Sequence, residues 1–485
     1  MPNIPTITAP RPTNAIRRVP EPARAVAFAI GLLLVEVVFA HGVAGVGAAK
    51  YILLLVGGLA IAAVLRFPLP SALVYFGLTD FIFYPLKFAH QVGPANLRPY
   101  EIILVLLLVV ALARPKRKTW GGVAGGALAA FYVILLVSSA IAVASHEVVF
   151  KEALDWGRPF FLLSFFWVVI RLFPERRDRE ILLASVAAIA AATGVLACVI
   201  TFGSGIGASL QEVAGNTVRE QGSLSRVRLP GLSAAYGLFW YSAIQAMLKT
   251  GKVRLWWFAA FLGIALNIVF SFNRNMWLGI LFGFVAMCIL GGPLMRKRLA
   301  VVLLAVATAL TLFVIIGGSA GKETIQPVIE RGETLVNPGK TEHESSLQSR
   351  FAETEIAWKT ARSNLLLGIG PGVPFGVDIV EAVRTGEGTV IGFTHTPQLF
   401  LHDQYLYLLL ITGIPGLLFF VIFLGTPVVT AVRFRRDDLT VISCALGIAM
   451  IMLSGFVAIY FSVVDMTAIL GLLAGVVTAA VEEAR

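Results

Sequence analysis

The chain has 485 residues, of which 58% are hydrophobic and 14% charged, and its mean hydropathy is +0.84. These values exclude an ordinary soluble domain. The formal net charge is +11, but the basic residues gather in short segments between apolar runs. That pattern favours a charge asymmetry across a membrane over a nucleic-acid-binding surface. The composition therefore predicts a polytopic membrane protein that does not bind nucleic acid.

The apolar runs predict an all-α fold, a polytopic transmembrane helical bundle of about 12–14 spans. The runs lie at 25–40, 50–65, 70–88, 101–113, 121–144, 158–173, 181–203, 231–249, 255–272, 275–292, 298–317, 403–425, 439–463 and 466–481. Four parts follow from them. Residues 1–24 form a disordered basic cytoplasmic tail, 25–317 the N-terminal part of the bundle, 318–402 a large periplasmic loop, and 403–485 the C-terminal transmembrane helices.

Five basic segments test this topology independently of hydropathy. They lie at 114–118, 171–180, 248–254, 295–298 and 432–438. Under strict alternation of the spans all five fall on one side, which the positive-inside rule identifies as the cytoplasm. The sequence therefore predicts a multi-pass membrane protein with both termini in the cytoplasm, whose opposite loops face the periplasm or the cell exterior.

The segment 318–402 is too long for a simple connector. Within it, residues 345–362 have Ser345 and Gln348 at capping-box spacing, and apolar residues recur among charged ones. This pattern predicts an amphipathic helix that lies against the bilayer or the bundle. We therefore expect the large loop to contain short amphipathic helices.

Arginines on the outer side are conspicuous because the positive-inside rule does not require them there. They are Arg219, Arg226, Arg228, Arg274, Arg331 and Arg350. A guanidinium offers a rigid fork of donors that fits phosphate oxygens, so converging arginines suit a lipid-linked diphosphate. The alternative for each is an interfacial arginine that reaches the lipid headgroups. Arg274 lies in so short a turn that we place its side chain at the mouth of the bundle.

His402 is predicted at the start of a long apolar helix, followed by Asp403. A neutral imidazole there can accept a proton from an attacking hydroxyl. The alternative is an interfacial histidine bonded to loop carbonyls, and His395 is a weaker candidate. About three turns into the helix, Gly413 and Gly416 allow a neighbouring backbone to approach closely.

The glycines of LGIGPG (367–372) predict a tight turn rather than a phosphate cradle, because no strand precedes them and Pro371 interrupts the motif. Asp80 and Glu36 lie within apolar spans, where each is either part of a proton pathway or a protonated structural carboxyl. Motifs of metalloenzymes, ATPases and serine hydrolases do not occur in the sequence.

Segments of the C-terminal half resemble the O-antigen ligase and O-antigen polymerase superfamily of integral-membrane glycosyltransferases. They are RLPGLSAAYGLFW (228–240), SFNRNMWLGILFG (271–283), RGETL (331–335), SRFAETEIAWKTARSNLLLGIGPG (349–372) and HDQYLYLLLITGIPG (402–416). The last is the most specific, because His402, Gly413 and Gly416 keep the family's spacing. Asp403 departs from the pattern, since the family has a neutral polar residue at that position. This carboxylate either raises the proton affinity of the histidine or marks a subgroup with another acceptor.

The resemblance implies transfer of a glycan from undecaprenyl diphosphate to an acceptor hydroxyl, with lipid A core or a growing glycan as acceptor and membrane lipids around the bundle. His402 corresponds to the catalytic histidine, and Arg228, Arg274 and Arg331 correspond to family arginines, the first two of which bind the diphosphate. The residues themselves add Arg350, with Asp403, Gly413 and Gly416 in support. The reaction is expected to be inverting, without a metal ion or other cofactor.

Other functions stay open at this level. A ligase, a polymerase and a protein transferase share these motifs and differ in their acceptors. A transporter of lipid-linked sugar would need interrupted helices near the midplane and internal pseudosymmetry, and the sequence shows neither, although Asp80 and Glu36 keep the idea open. A structural scaffold is a third possibility, and the arginines and histidine on the outer side weigh against it.

Overall fold

The structure is a computed structural model, and it describes a defined part of the chain. The described residues are 62–64, 66–81, 98–202, 218–221, 224–227, 231–271, 273–293, 295–301, 326, 344–385, 388–435 and 437–484. The predicted tail, the predicted span at 25–40 and most of those at 50–65 and 298–317 lie outside these residues. Glu36 does so as well.

The described part is built mainly of helices, which confirms the all-α class. The helices are α1 (Pro68–Phe76), α2 (Pro99–Ala113), α3 (Gly122–Ala144), α4 (Phe150–Phe161), α5 (Phe165–Leu172), α6 (Arg176–Phe202), α7 (Leu232–Leu248), α8 (Gly251–Phe270), α9 (Arg274–Leu290), α10 (Glu344–Ser363), α11 (Gln404–Phe434), α12 (Leu439–Ser454) and α13 (Val464–Ala484). Two antiparallel hairpins accompany them, β1 (Val218–Gln221) with β2 (Leu224–Val227) and β3 (Phe375–Thr385) with β4 (Gly388–Gln398).

Among the described residues, six helical segments are long and apolar enough to cross a membrane. They are Gly122–Ala144, Phe150–Leu172, Arg176–Cys198, Gly251–Phe270, Gln404–Phe434 and Val464–Ala484. The second joins α4 and α5 through a 3-10 turn at Leu162–Ser164. Helices α2, α9 and α12 are apolar but shorter. The chain is thus an integral membrane protein with a helical bundle.

Most predicted spans differ from the observed helices by a few residues, and the larger differences have physical causes. Helix α12 ends at Ser454, although its apolar run continues to 463, because residues 455–463 turn back towards α13. The prediction at 158–173 began too late, since polar residues such as Lys151 and Glu152 hide the first two turns of α4. Helix α13 lies deepest, with 89% of its apolar window buried.

The large loop contains the predicted amphipathic helix, which is observed as α10 at Glu344–Ser363. Sequence analysis did not predict the hairpin of β3 and β4 that follows it. The hairpin pairs Phe375 with Gln398 at its base and Thr385 with Gly388 at its turn. Helix α10 contacts both β3 and α11, so the loop folds back onto the start of α11.

Ion pairs and hydrogen bonds bring three of the basic segments to the end of α13. Arg179 Nη2 lies 2.5 Å from Glu483 Oε2, and Arg117 Nη1 donates to the carbonyl of Ala479 at 3.0 Å. Arg176 Nη1 is 3.7 Å from Asp438 Oδ2. The segments 114–118, 171–180 and 432–438 therefore lie at one end of the bundle with the end of α13, as the alternation of the spans predicts.

Candidate functional site

The start of α11 is held at the end of the bundle opposite this charged cluster. Gln404 is fully buried, and its backbone N–H donates to the carbonyl of Gly455 at 2.8 Å. Its side-chain amide donates to the carbonyl of Leu401 at 2.7 Å and accepts from Ser462 Oγ at 2.7 Å. A buried amide that is satisfied on both sides fixes the residues before it.

His402 lies two residues before Gln404 in the chain and contacts a carboxylate. Its Nδ1 lies 3.0 Å from Glu353 Oε2 on helix α10. The imidazole is 32% exposed, whereas the Glu353 side chain is 11% exposed. Among the described residues, His402 Nε2 has no hydrogen-bond partner. Sequence analysis missed Glu353, although its position three residues after Arg350 places it on the same side of an amphipathic helix.

Asp403 does not serve as the partner of His402, because its carboxylate caps α11. Its Oδ1 accepts from the backbone N–H groups of Tyr405 at 3.0 Å and Leu406 at 3.1 Å. Burial raises the pKa of Asp403 above its usual value, and these two hydrogen bonds oppose the shift. The residue that departs from the family's pattern is thus an N-cap in this chain.

Helix α11 is interrupted at Gly413, which has φ 69° and ψ −173°. Two residues later Pro415 has no N–H to donate to Ile411. The carbonyl of Ile411 instead accepts from Ser138 Oγ at 2.6 Å and from the backbone of Gly370 at 3.2 Å. The expectation of uninterrupted helices is therefore wrong for α11.

The LGIGPG turn, and Leu365 two positions before it, supply the other bonds at this interruption. Ile369 N donates to the carbonyl of Leu410 at 2.8 Å, and Ile414 N donates to the carbonyl of Leu365 at 2.8 Å. Gly368 has φ 69°, and a Cβ there would meet the backbone of Ile411 at 2.4 Å. The glycines thus form a tight turn, as predicted, whose backbone replaces the missing bonds of α11.

The two glycines of α11 have different environments. A Cβ on Gly413 would meet the carbonyl of Leu365 and the backbone of Leu366 at 2.6 Å, so a backbone does approach closely there. A Cβ on Gly416 would meet the Thr412 side chain at 2.2 Å. Thr412 Oγ1 donates to the carbonyl of Leu408 at 2.7 Å. Gly416 therefore makes room for a side chain of its own helix rather than for a neighbouring backbone.

Arg274 and Arg350 come close enough to influence each other. Arg274 is half-buried at the first position of α9, directly before the predicted span, and Arg350 is half-buried on α10. Burial lowers the pKa of Arg274, and the positive charge of Arg350 adds a smaller effect in the same direction. Because α10 carries both Arg350 and Glu353, this arginine pair lies near His402.

A second connection joins the starts of α9 and α11. Asn273 Oδ1 accepts from Asn275 N at 3.3 Å and caps α9, and its Nδ2 donates to Tyr460 Oη at 3.0 Å. Tyr460 belongs to the connection between α12 and α13, which also holds Gln404 through Ser462. One connection therefore contacts both helix starts, which sequence analysis did not detect.

The other residues that the sequence singled out are not among those that the structure places around His402. Arg228 and Arg331 lie outside the described residues. Arg219 and Arg226 are register partners in the hairpin of β1 and β2. His395 is the register partner of Asp378 in the second hairpin, and Asp80 lies in a π-helical turn at Gly77–Phe81.

Residues 258–421 match the sequence profile of a protein family described as O-antigen ligase. This segment, which is less than half of the chain, is therefore similar to the O-antigen ligase family. The match includes Arg274, Arg350, Glu353, His402 and both glycines of α11. No curated protein matches the chain. This similarity supports a glycosyltransferase-like membrane enzyme that acts on a lipid-linked glycan and an acceptor.

Proposed function

We propose that this protein is a member of the O-antigen ligase superfamily and transfers a glycan from undecaprenyl diphosphate to an acceptor hydroxyl at the periplasmic face of the bacterial inner membrane, with both termini in the cytoplasm. The observation that carries the proposal is the histidine at the start of α11, with one ring nitrogen on a carboxylate and the other without a partner among the described residues. The arginine pair near it supplies the charge that a diphosphate requires.

His402 acts as the general base. Its Nε2 accepts the proton of the acceptor hydroxyl while the oxygen attacks the anomeric carbon of the donor glycan. The bond from this carbon to the phosphate oxygen breaks, and undecaprenyl diphosphate leaves with the electron pair. A single displacement inverts the anomeric configuration.

Arg274 and Arg350 stabilise the diphosphate as negative charge develops on it. Two neighbouring guanidinium groups offer converging hydrogen-bond donors to the phosphate oxygens. We expect Arg228 and Arg331 to assist them. Because the arginines neutralise the leaving group, the reaction on this account proceeds without a metal ion or another cofactor.

The architecture fits a donor that remains in the bilayer. A diphosphate on a polyprenyl chain lies at the headgroup plane, and the site lies at the end of the bundle, between α9, α10 and α11. The loop that contains α10 and the second hairpin offers a surface for a long acceptor. Lipid A core would make the protein a ligase, and a further glycan repeat would make it a polymerase.

Transfer from a purified undecaprenyl-diphosphate-linked glycan tests the proposal. The reaction is run in vesicles with EDTA, and lipid A core, a second glycan repeat and a serine-containing peptide are offered separately. We expect transfer to one acceptor by the wild type and a loss of about 10²- to 10⁴-fold in kcat for His402→Ala. Equal rates for wild type and His402→Ala would reject the site.

The interruption of α11 favours a second candidate function, a transporter of lipid-linked sugar, because transporters use interrupted helices to bind their substrates. The bonds at the interruption weigh against it. Ser138 and the LGIGPG turn donate to the carbonyls of Leu410 and Ile411, and the N–H of Ile414 donates to the carbonyl of Leu365. Export of lipid-linked glycan from vesicles that survives His402→Ala, without any transfer by the wild type, would favour the transporter.

A further inference from the structure

We infer that Glu353 is the positioning residue of His402, holding the proton on Nδ1 so that Nε2 faces the acceptor hydroxyl as a base. The inference rests on the proposed function for its chemistry. The contact itself is the observation, with 3.0 Å between His402 Nδ1 and Glu353 Oε2. An ionised carboxylate can only accept a hydrogen bond, so the shared proton belongs to Nδ1.

The exposure of the two side chains fits these roles, because Glu353 is buried whereas His402, the base, is partly open to solvent. Glu353 is 8% exposed as a residue, and His402 is half-buried. A buried carboxylate is costly unless it is paired or hydrogen-bonded. The position of Glu353 is therefore better explained by its contact with the imidazole than by solvation of the α10 surface.

Backbone bonds fix the two helices relative to each other. Helix α10 ends shortly before the LGIGPG turn. Two backbone N–H groups of this turn donate to the carbonyls of Leu410 and Ile411, and the carbonyl of Leu365, just before the turn, accepts from Ile414 N. The segment that follows the helix carrying Glu353 is thus bonded to the helix that follows His402. Pre-organisation of this kind keeps a catalytic geometry without reorganisation during the reaction.

The Glu353 carboxylate also stabilises the positive charge that the reaction creates on His402. When Nε2 takes the hydroxyl proton, the imidazole becomes a cation, and Glu353 balances it at hydrogen-bond distance. The proton on Nδ1 stays on the histidine throughout. The described hydrogen bonds of Asp403 go to the start of α11, where its Oδ1 accepts from two backbone N–H groups, and not to His402.

A structural role for Glu353 is the competing explanation, since the contact also links α10 to α11. If Glu353 is only a structural partner, its substitution changes the stability of the protein, and the tautomer of His402 has no effect on the rate. A positioning residue changes kcat and the tautomer while donor KM stays close to that of the wild type. The two explanations therefore separate in measurable quantities.

The matched control lies on the same helix. Glu355 is two residues further on, its side chain is 68% exposed, and it pairs with Lys359 at 2.7 Å. Glu355→Gln and Glu355→Ala remove the same groups at a position away from His402. We expect both control variants to transfer glycan at the wild-type rate.

The experiment compares Glu353→Gln and Glu353→Ala with these controls in the full-length protein. Transfer kinetics give kcat and donor KM, and thermal unfolding of each variant reports a loss of fold. Nitrogen NMR of protein with labelled histidine gives the tautomer of His402, whose signal is assigned through His402→Gln. We expect kcat to fall about 10- to 100-fold in Glu353→Ala, and less in Glu353→Gln, which keeps a hydrogen-bond acceptor.

The tautomer measurement keeps this inference separate from the proposed function. We expect Nδ1 to carry the proton in the wild type and this preference to be lost in Glu353→Ala. If His402→Ala abolishes transfer while Glu353→Ala leaves the rate and tautomer unchanged, the positioning role is wrong and the proposed function stands. If His402→Ala transfers normally, the proposed function fails, whatever the tautomer shows.

Discussion

The hydroxyl of Ser138 on α3 donates to the carbonyl of Ile411 on α11 at 2.6 Å. Pro415 leaves that carbonyl without its helical donor, and inside a bundle an unpaired carbonyl costs several kcal/mol. Gly370 N donates to the same oxygen at 3.2 Å. Two other segments, α3 and the LGIGPG turn, therefore supply the donors that the interruption of α11 requires.

Gly413→Ala tests this interruption. The residue has φ 69°, and a Cβ would lie 2.6 Å from the carbonyl of Leu365. A non-glycine residue in this conformation costs about 1–3 kcal/mol before the overlap is counted. We expect Gly413→Ala to lower the thermal unfolding temperature of the purified protein or to prevent its folding.

The matched control is Gly425→Ala in the same helix. No atom lies within 4 Å of a Cβ at Gly425, and alanine favours a helix over glycine by about 1 kcal/mol. We expect this variant to be as stable as the wild type or slightly more stable. Equal unfolding temperatures for the two alanine variants would contradict the account of the interruption.

The glycines also show how far the sequence can predict this site. The sequence predicted the start of α11 after His402 and the close backbone approach at Gly413, because periodicity and residue spacing are local properties of the chain. Glu353 could not be predicted as the partner of His402, since the two are 49 positions apart and only the folded loop brings them together. Asp403 was considered as a neighbouring charge because adjacency is visible in a sequence, whereas N-capping depends on where the helix begins.

The β3–β4 hairpin was missed for a related reason. Its strands, Phe375–Thr385 and Gly388–Gln398, mix polar and apolar residues without the regular alternation that marks a half-buried strand. The predicted end of α12 was wrong for the opposite reason, because residues 455–463 are apolar enough to be read as part of a span. Hydropathy cannot distinguish an apolar segment in the bilayer from one packed around a site.

Membrane orientation gives the second prediction. Three basic segments meet the end of α13 through contacts such as Arg179 with Glu483, so one measurement orients all of them. We expect a fluorescent protein fused after Arg485 to fluoresce and alkaline phosphatase at the same position to be inactive, as for a cytoplasmic terminus. The reverse pair of results would place His402 on the cytoplasmic side and reject the proposed periplasmic reaction.

Asp403 gives a prediction about pH. Burial raises its pKa in the folded protein, so between about pH 4, its ordinary value, and the raised value the folded state binds more protons than the unfolded state. Stability from this group is therefore greatest at low pH and decreases as pH rises through that window. Asp403→Asn keeps a good N-cap without the charge. We expect its stability relative to the wild type to increase as pH rises from 4, measured by thermal unfolding.

Asp403→Ala separates the cap from the site. Loss of an N-cap costs about 1 kcal/mol of stability. Asp438→Ala is the control, because Asp438 caps α12 through Thr440 and Val441 in the same way but lies near the charged end of the bundle. We expect both variants to lose stability and only Asp403→Ala to lose transfer activity. A similar loss of transfer in Asp438→Ala would show that the activity follows overall stability.

The arginine pair gives the last prediction. Arg274 and Arg350 are close enough for the charge of one to lower the pKa of the other, and two neighbouring guanidinium groups suit the oxygens of a diphosphate. A hydrogen bond to a charged group is worth about 1.5–3 kcal/mol, so we expect Arg274→Ala and Arg350→Ala each to raise donor KM or lower kcat/KM about 10- to 100-fold. Arg362→Ala is the control, because Arg362 is exposed at the end of the same helix as Arg350.

Ligand-induced stabilisation tests the same pair without turnover. Farnesyl diphosphate carries the diphosphate on a short polyprenyl chain, and farnesol carries the chain alone. A ligand at 100 times its Kd stabilises the folded state by about 2.7 kcal/mol, so the diphosphate should raise the unfolding temperature of the wild type and of Arg362→Ala. In Arg274→Ala and Arg350→Ala the rise should shrink towards that given by farnesol. An undiminished rise in both would mean that the diphosphate binds elsewhere, because the charge these arginines supply would then be absent from its site.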